Sequence, residues 1–552
     1  MKANEIQKGW VWCKLEEVVQ INPRHLSNIV PDDLEVSFVP MAALDEDYWM
    51  LRDKRTRPFG EVKKGYTHFA EGDVLFAKIT PCMENGKAAI ARNLVNGIGC
   101  GTTELHVLRP EMGIPSEYIY HYVHQESFRE RAAASMTGTA GQLRVPVKFM
   151  REVPIPLPPL PEQRLIVARV EALLEQVRKA KEALDKVPPI MKRFRQAVLK
   201  KAFSGELTAG WRKEHLNLEP AGELLKRIQH ERKRRYEEEV RRAKAEGRKP
   251  PKKPKHLEME PLDTSDLPEL PEEWVWVRIG DIETFIGSGI TPRGGKSNYL
   301  SRGIPFIRSQ NVWPEGLKLD DIVYISEEQH KKMSRTKVQP YDVLLNITGA
   351  SIGRATYVPE NFTEANVNQH VCIIRTSSNV YHKFLSGFLN SPFGQDQIFS
   401  TQAGVTREGL NYNQIRKLRV PLPPLEEQHE IVRRVEALFK FADEVEKRAE
   451  EARKRVERIT QSILARAFRG ELTADFREAV RNWKNLDLEE RRKYIFTLPK
   501  EEQEKALYED EFPLEPAEHL LERIRAERAK REGKGTKTRG RRRQSRQLEL
   551  MR

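Results

Sequence analysis

The chain has 552 residues, enough for three or four units that each bury a core, and its formal net charge is +14. No apolar run approaches the ~20 residues of a membrane helix, and the opening "MKANEIQKGWVW" lacks a signal-type apolar segment, so a cytoplasmic protein is expected. Cys13, Cys82, Cys100 and Cys372 are scattered without metal-ligand or redox spacing, which argues against a disulfide framework and a zinc site.

Residues 1–152 read as a first mixed α/β head. Short runs of strand character, "EVSFVPM" from 35, "DVLFAKI" from 73, "KAAIA" from 87 and "TELHVL" from 103, precede a helix from 116. Three of its loops collect residue types that contact nucleic acid: Arg52, Lys54, Arg55 and Arg57; then Lys78, Asn85 and Lys87; then Gln142 and Arg144. Arginine pairs bidentately with guanine, and asparagine or glutamine with adenine, at the major-groove edge.

A proline hinge and a spacer helix fill 153–212. Pro161 and Glu162 suit a helix start, where a missing N–H is harmless and an acid meets the positive end of the dipole. Ile166, Val170, Leu173, Val177, Leu184 and Phe194 lie on a seam that steps by four and three, a heptad rather than the period of an ordinary surface helix. Pro188 and Pro189 fall inside it and predict a kink. Gly205 suits the left-handed position that closes a helix. A basic linker spans 213–272; its residues 226–255 hold fourteen Lys or Arg against five Glu, and read as partly helical or disordered and solvated.

Residues 273–417 form a second head of the same style. Its strand-like runs include "IPFIRSQNV" from 304, "DVLLNIT" from 342 and "QHVCIIR" from 369, and a helix starts at about 379. Its candidates for base or phosphate contact are Arg293, Lys296, Asn298, Arg308, Gln310, Asn311, Arg354, Asn368, Gln369 and Arg407.

The second hinge and spacer, 418–477, repeat the first. "VPLPPLEEQHEIVRRVEALF" at 420–439 shares 14 of 20 positions with "IPLPPLPEQRLIVARVEALL" at 155–174, and its seam carries Ile431, Val435, Leu438, Val445, Val456 and Ile459. "AFSGELTAGWR" from 202 returns as "AFRGELTADFR" from 467, "EPAGELLKRIQHER" from 219 as "EPAEHLLERIRAER" from 515, and "GWVWCKLEEV" from 9 as "EWVWVRIGDI" from 273. A 31-residue insert and a basic tail complete the extension 478–552. The repeat therefore covers the struts and not the heads, which show little identity. Two matched helices of about 48 Å predict an antiparallel coiled coil with a pseudo-two-fold axis and one head at each end.

Enzyme signatures fail. "GITPRGGKS" from 289 has glycine at 295 where a phosphate loop needs lysine. "FIGSG" from 285 resembles a methyltransferase glycine motif, but "LPPL" at 157 and 422 has no Asn or Asp to hold a flipped adenine.

The "PLPPLPEQ" and "PLPPLEEQ" hinges, with "KRFRQAVLKKAFSGELT" and "TQSILARAFRGELTADFR", resemble the conserved regions of specificity subunits of type I restriction-modification systems. The heads resemble that family's target recognition domains through "DVLFAKITPCMENGK", "GTAGQLRVP", "GIPFIRSQNV" and "NQHVCIIR". The resemblance implies two α/β target recognition domains separated by an antiparallel coiled coil. It implies a non-catalytic, cofactor-free DNA-binding subunit that docks two methylation subunits using S-adenosylmethionine and two restriction subunits using ATP and Mg. Unlike heads on one strut then imply an asymmetric, bipartite target. The alternatives are a coiled-coil scaffold joining two protein partners and a solitary DNA methyltransferase.

Overall fold

Apolar alternation in the first head becomes ten strands: β1 Val11–Lys14, β2 Val19–Ile21, β3 Glu35–Val39, β4 Arg55–Pro58, β5 Thr67–Ala70, β6 Val74–Ala77, β7 Ala88–Ile90, β8 Ile98–Gly101, β9 Leu105–Pro110 and β10 Pro154–Leu157. They pair as β2-β9-β6-β7, as β4-β3-β8-β5 with β3 parallel to β8, and as the antiparallel couple β1-β10. The second head has β11 Val275–Arg278, β12 Glu283–Ser288, β13 Ile304–Ile307, β14 Val323–Ile325, β15 Lys337–Val338, β16 Val343–Asn346, β17 Ala355–Tyr357, β18 Ala365–Val367, β19 Val371–Thr376 and β20 Arg419–Leu422, with a small hairpin, Val312–Trp313 and Gly316–Leu317, as an addition. Its sheets run β12-β19-β16-β17 and β14-β13-β18-β15, with β13 parallel to β18 and β11 paired with β20. The heads thus share one topology, each strand matching the one ten labels earlier, although their sequences read as unrelated.

The computed structural model describes residues 6–531 apart from 24–29, 46–50, 53, 140, 254–256, 258–260, 292–298 and 402–408. It divides into two compact units, Met1–Leu184 with Glu451–Arg552, and Asp185–Glu450. Each unit therefore draws on both halves of the sequence.

Why the central strands read as continuous apolar runs is visible in their packing. Along β6, Val74 and Phe76 join the core beneath helix Ser116–His124, whereas Leu75 and Ala77 join a second core with Phe69 and Val107. Along β16, Val343 and Leu345 face one core and Leu344 another. A strand buried on both faces needs apolar side chains at every position. Truncating fully buried Phe76 to alanine would cost about 3–5 kcal/mol. Each core strand is pinned at its start by the same ion pair: Arg109 holds Asp73 through Nε and Nη2, both at 2.7 Å, and Arg375 holds Asp342 at 2.6 and 2.7 Å.

The spacer helices are Leu160–Asp185, Val187–Phe203 and the unbroken Leu425–Phe468 of 44 residues. The first is interrupted at Lys186, with Pro188 and Pro189 in the opening turn of the helix that follows, as the prolines predict. Pairing is antiparallel inside the second unit: Phe194 meets Phe441 with ring centroids 6.4 Å apart, and Arg195 reaches Asp443 and Glu446, while the later Thr208 and Arg212 reach the earlier Glu427.

Of the seam residues, Ile166, Val170 and Ile431 are buried. Leu173, Val177, Leu184, Phe194, Val435, Leu438, Val445 and Val456 are half-buried, and Ile459 is 47% exposed, so its seam assignment is corrected. Two helices cover only part of each other's surface, and a straight helix drifts about 20° per heptad from a seven-residue repeat. Leu165 and Leu464, each one position off the series, are buried too, Leu165 among Phe476 and Trp483 and Leu464 in the core of the first head.

The repeated motifs close a clasp in each unit. In the first, buried Glu162 accepts from Trp10 Nε1 at 2.9 Å, Thr473 Oγ1 at 2.7 Å and Arg477 Nη1 at 2.5 Å, while Arg477 Nη2 donates to Gly470 O. In the second, Glu427 accepts from Trp274 Nε1 at 2.9 Å, Thr208 Oγ1 at 2.7 Å and Arg212 Nη2 at 2.8 Å, and Arg212 also reaches Gly205 O. Gly205 and Gly470 have φ of 80° and 76°, the left-handed value expected for the closing residue. Glu162 stands in the first turn of its helix, as expected, and is in addition a buried anchor. Burial raises the Glu162 carboxyl above its usual range, against the three donors.

The third echo completes each unit. Helix Ala221–Ala245 buries Leu224 and Ile228 in the second unit, where Arg232 donates to the carbonyls of Asp281 and Glu283. Helical residues 517–531 bury Leu520, Leu521 and Ile524 in the first, where Arg528 donates to those of Glu16 and Val19. The first part of the basic linker is therefore an ordered helix. The insert contributes two short helices, Leu488–Ile495 and Lys500–Tyr508, which pack with the preceding helix Ala474–Arg481 around buried Trp483, Phe476, Tyr494 and Phe512. No helix among the described residues is long and apolar enough to cross a membrane.

Candidate nucleic-acid interface

Three backbone stations recur where β6 and β16 end. In the first head Lys78 N donates to Glu104 O at 3.0 Å, and Val145 N to Lys78 O at 2.9 Å. In the second, Ile347 N donates to His370 O at 3.0 Å, and Leu410 N to Ile347 O at 2.9 Å. The residue leaving the strand, the residue entering its neighbour and a returning loop are thus tied together identically, with Arg144 and Gly409 on the returning loops. What differs is the side chains.

In the first head, Arg144 Nε and Nη2 donate to Glu104 Oε2 and Oε1 at 2.8 and 2.9 Å, and Nη1 to Gln142 O at 3.1 Å. Arg144 holds the Glu104 carboxyl below its usual range. Burial, with a contribution from Arg144, pulls the Lys78 amine below the usual lysine range against the opposing pull of Glu104. Asn85 is exposed and Lys87 half-buried on the loop after Lys78, where Ala77 N donates to Lys87 O. Lys78, Asn85, Lys87, Gln142 and Arg144 therefore gather at one end of this sheet.

His106 anchors the returning loop from below. Its Nδ1 faces the Asn22 amide nitrogen, a donor, at 3.2 Å, which leaves Nε2–H to donate to Val145 O at 2.8 Å. Burial drives its pKa down to about 4, so the ring is neutral.

Arg52, Lys54, Arg55 and Arg57 lie elsewhere, on or beside β4 in the other sheet. Arg52 pairs with Asp45, Lys54 Nζ donates to the carbonyls of Arg92 and Asn93, Arg57 covers the Phe38 ring at 4.5 Å, and Arg55 is exposed. Lys54 is thereby held as a structural tie.

In the second head Gln369 is exposed and bonded to Thr291 and His370, and His370 Nδ1 is bonded to Thr348 Oγ1. Arg354 and Lys318 both stand over the Trp313 ring, at 4.1 and 4.0 Å. Arg308 donates to Asp321 O at 2.7 Å, and Gln310 is exposed beside the Asp321 carboxylate.

Two assignments are corrected. Asn311 is fully buried, its amide donating to Lys318 O and Asp321 Oδ1 and accepting from Arg308 N. Asn368 is buried, and its Oδ1 accepts from His370 N at 3.0 Å. Both amides close turns and are buried, and Asn311 has both its oxygen and its nitrogen engaged. Arg293, Lys296, Asn298 and Arg407 lie outside the described residues.

Glu104, Thr348, His370, Trp313 and Lys318 escaped the sequence reading. The signal was present: "DVLFAKIT" and "DVLLNIT", each followed about 35 residues later by the arginine that binds its aspartate, align the two heads and put Glu104 opposite His370.

The family described as "Type I restriction modification DNA specificity domain" matches residues 7–187 and 271–453. The specificity subunit of the type I restriction enzyme EcoEI from Escherichia coli is 29% identical over 507 residues, 82% of this chain and 81% of the relative. That of EcoKI from E. coli K12 is 30% identical over 69% of this chain and 70% of the relative. Among solved structures, a type I R-M system chain, from work on its complex assembly and conformational transition, covers 84% of this chain and 99% of its own length with a TM-score of 0.60 at 20% identity. The HsdS subunit from Thermoanaerobacter tengcongensis covers 85% and 99% with a TM-score of 0.53 at 21% identity. These two likenesses concern the fold.

Proposed function

Because the chain belongs to the family of type I restriction-modification DNA specificity domains, we propose that it is the sequence-reading subunit of such a system, binding duplex DNA at an asymmetric target of two half-sites. One observation carries this reading. A single strand plan occurs twice, and at the same three backbone stations it presents Lys78, Glu104 and Arg144 in one head but Ile347, His370 and Gly409 in the other. Conserved scaffolding with divergent polar tips suits two readers of different sequences.

In this reading Lys78, Asn85, Lys87, Gln142 and Arg144 face one half-site, and Gln369 with the Trp313, Lys318 and Arg354 cluster faces the other. The spacer helices set the unread gap, and their outer faces dock two methylation and two restriction subunits. The chain is a non-catalytic subunit that binds no cofactor; S-adenosylmethionine, ATP and Mg belong to its partners, and the assembly works in the cytoplasm.

Binding selection from random duplexes, with the methylation subunits present, tests the reading. Two fixed half-sites flanking an unread gap are expected. Absence of any sequence preference would favour a protein scaffold instead.

A further inference from the structure

We propose that Glu104 is a positioning residue that locks the Arg144 guanidinium as a guanine-reading fork in the first head; the proposal deepens the function above and rests on it. A guanidinium carries five N–H donors. Glu104 takes Nε–H and one hydrogen of Nη2, and the carbonyl of Gln142 takes one hydrogen of Nη1. One hydrogen on Nη1 and one on Nη2 remain on this 40% exposed side chain, and in the proposed fork they are the pair side by side on the outer edge of the plane. Two parallel donors fit two adjacent acceptors. In the major groove only guanine offers that pair, O6 with N7, since adenine places a donor beside its acceptor and thymine a methyl group.

The fork is also fixed in place. Arg144 N donates to Thr137 O at 2.9 Å and Thr137 N to Arg144 O at 3.1 Å, while Ile79 bridges it from the other side. Little side-chain freedom is left to lose on binding, which favours selectivity. A carboxylate on a surface that meets phosphates weakens attraction to DNA of every sequence. Glu104 is therefore placed to orient Arg144 at the expense of general affinity. The second head has His370 at the position of Glu104 and Gly409 at that of Arg144, so it lacks this fork and reads differently.

The test uses the chain assembled with its methylation subunits. Bound duplexes are selected from a library randomised in the first half-site with the second held constant. Wild type is expected to favour guanine at one position by about 5- to 150-fold. Arg144→Lys keeps the charge but not the fork, and should reduce that preference below ~3-fold while nonspecific binding changes by less than ~3-fold. Glu104→Gln should lower the preference yet tighten binding to nonspecific duplex, because a repelling charge is gone. Opposite movements of specificity and affinity do not arise from simple structural damage.

A guanine preference intact in Arg144→Lys overturns the proposal, as does equal weakening on all sequences, which marks a phosphate contact. A Glu104→Gln protein that melts earlier and loses binding to every duplex overturns the positioning role. A wild-type complex with no preference in either half-site removes the proposed function and this inference with it. A second half-site still read normally beside a first that ignores Arg144 removes only the inference.

Discussion

Arg477→Ala should open the clasp of the first unit, and its cost can be worked out from the contacts. Glu162 is 2% exposed and receives Arg477 Nη1 at 2.5 Å, Thr473 at 2.7 Å and Trp10 at 2.9 Å. Removing one partner of a buried ion pair costs about 3–5 kcal/mol, because the remaining charge stays out of water. Two neutral donors remain, so the lower end applies, about 3 kcal/mol. For a unit of this size that is a drop in melting midpoint of about 6–12 °C. The stranded carboxylate is neutralised as pH falls, so the loss should be larger at pH 8 than at pH 5. The double variant Glu162→Gln with Arg477→Ala should recover about 2 kcal/mol or more of the single loss, since no buried charge is left. Denaturant or thermal unfolding of the four proteins of this cycle reads both numbers. Arg212→Ala should do the same to Glu427 in the second unit. A midpoint shift under ~2 °C, or strictly additive variants, would refute the buried-charge account.

Other outcomes are equally definite. Seven residues inserted into each spacer helix add about 10.5 Å, and should lengthen the unread gap by about three base pairs without altering either half-site in a methylation profile. Replacing residues 13–150 by another head should change one half-site and leave the other. Asn311→Ala should cost about 2–3 kcal/mol in unfolding, whereas Gln310→Ala should stay within about 0.5 kcal/mol and show its effect in DNA binding. For His106, the folded pKa of about 4 lies below the ordinary histidine value of about 6.5. The unfolded chain therefore takes up a proton first as pH falls. Its contribution is intact above pH 6.5 and shrinks towards pH 4, by about 2 kcal/mol at pH 5. His106→Asn should flatten this part of the stability profile measured by thermal melts; an unchanged slope contradicts the assignment.

Much of the architecture was written in local pattern. The heptads, the helix break at Pro188, the closing glycines at 205 and 470 and the tandem plan follow from spacing and from the conformations that proline and glycine allow. These properties involve residues near one another in the chain, or repeated at a fixed interval, so the amino-acid order alone determined them. The kinship of the heads was harder to see. It survives in strand order and in the Asp73–Arg109 and Asp342–Arg375 pairs, while the side chains between them have diverged.

Tertiary structure alone decided which polar residues are free. Asn311 and Arg144 look equally suited to touch a base, yet Asn311 spends its amide on a turn and Arg144 keeps one edge open. Glu162 reads as a first-turn acid and is one, but only the fold shows that it and Glu427 anchor residues more than two hundred positions away. A side chain's availability depends on how many of its donors and acceptors the fold has already used, and those partners come from distant segments that no local spacing records.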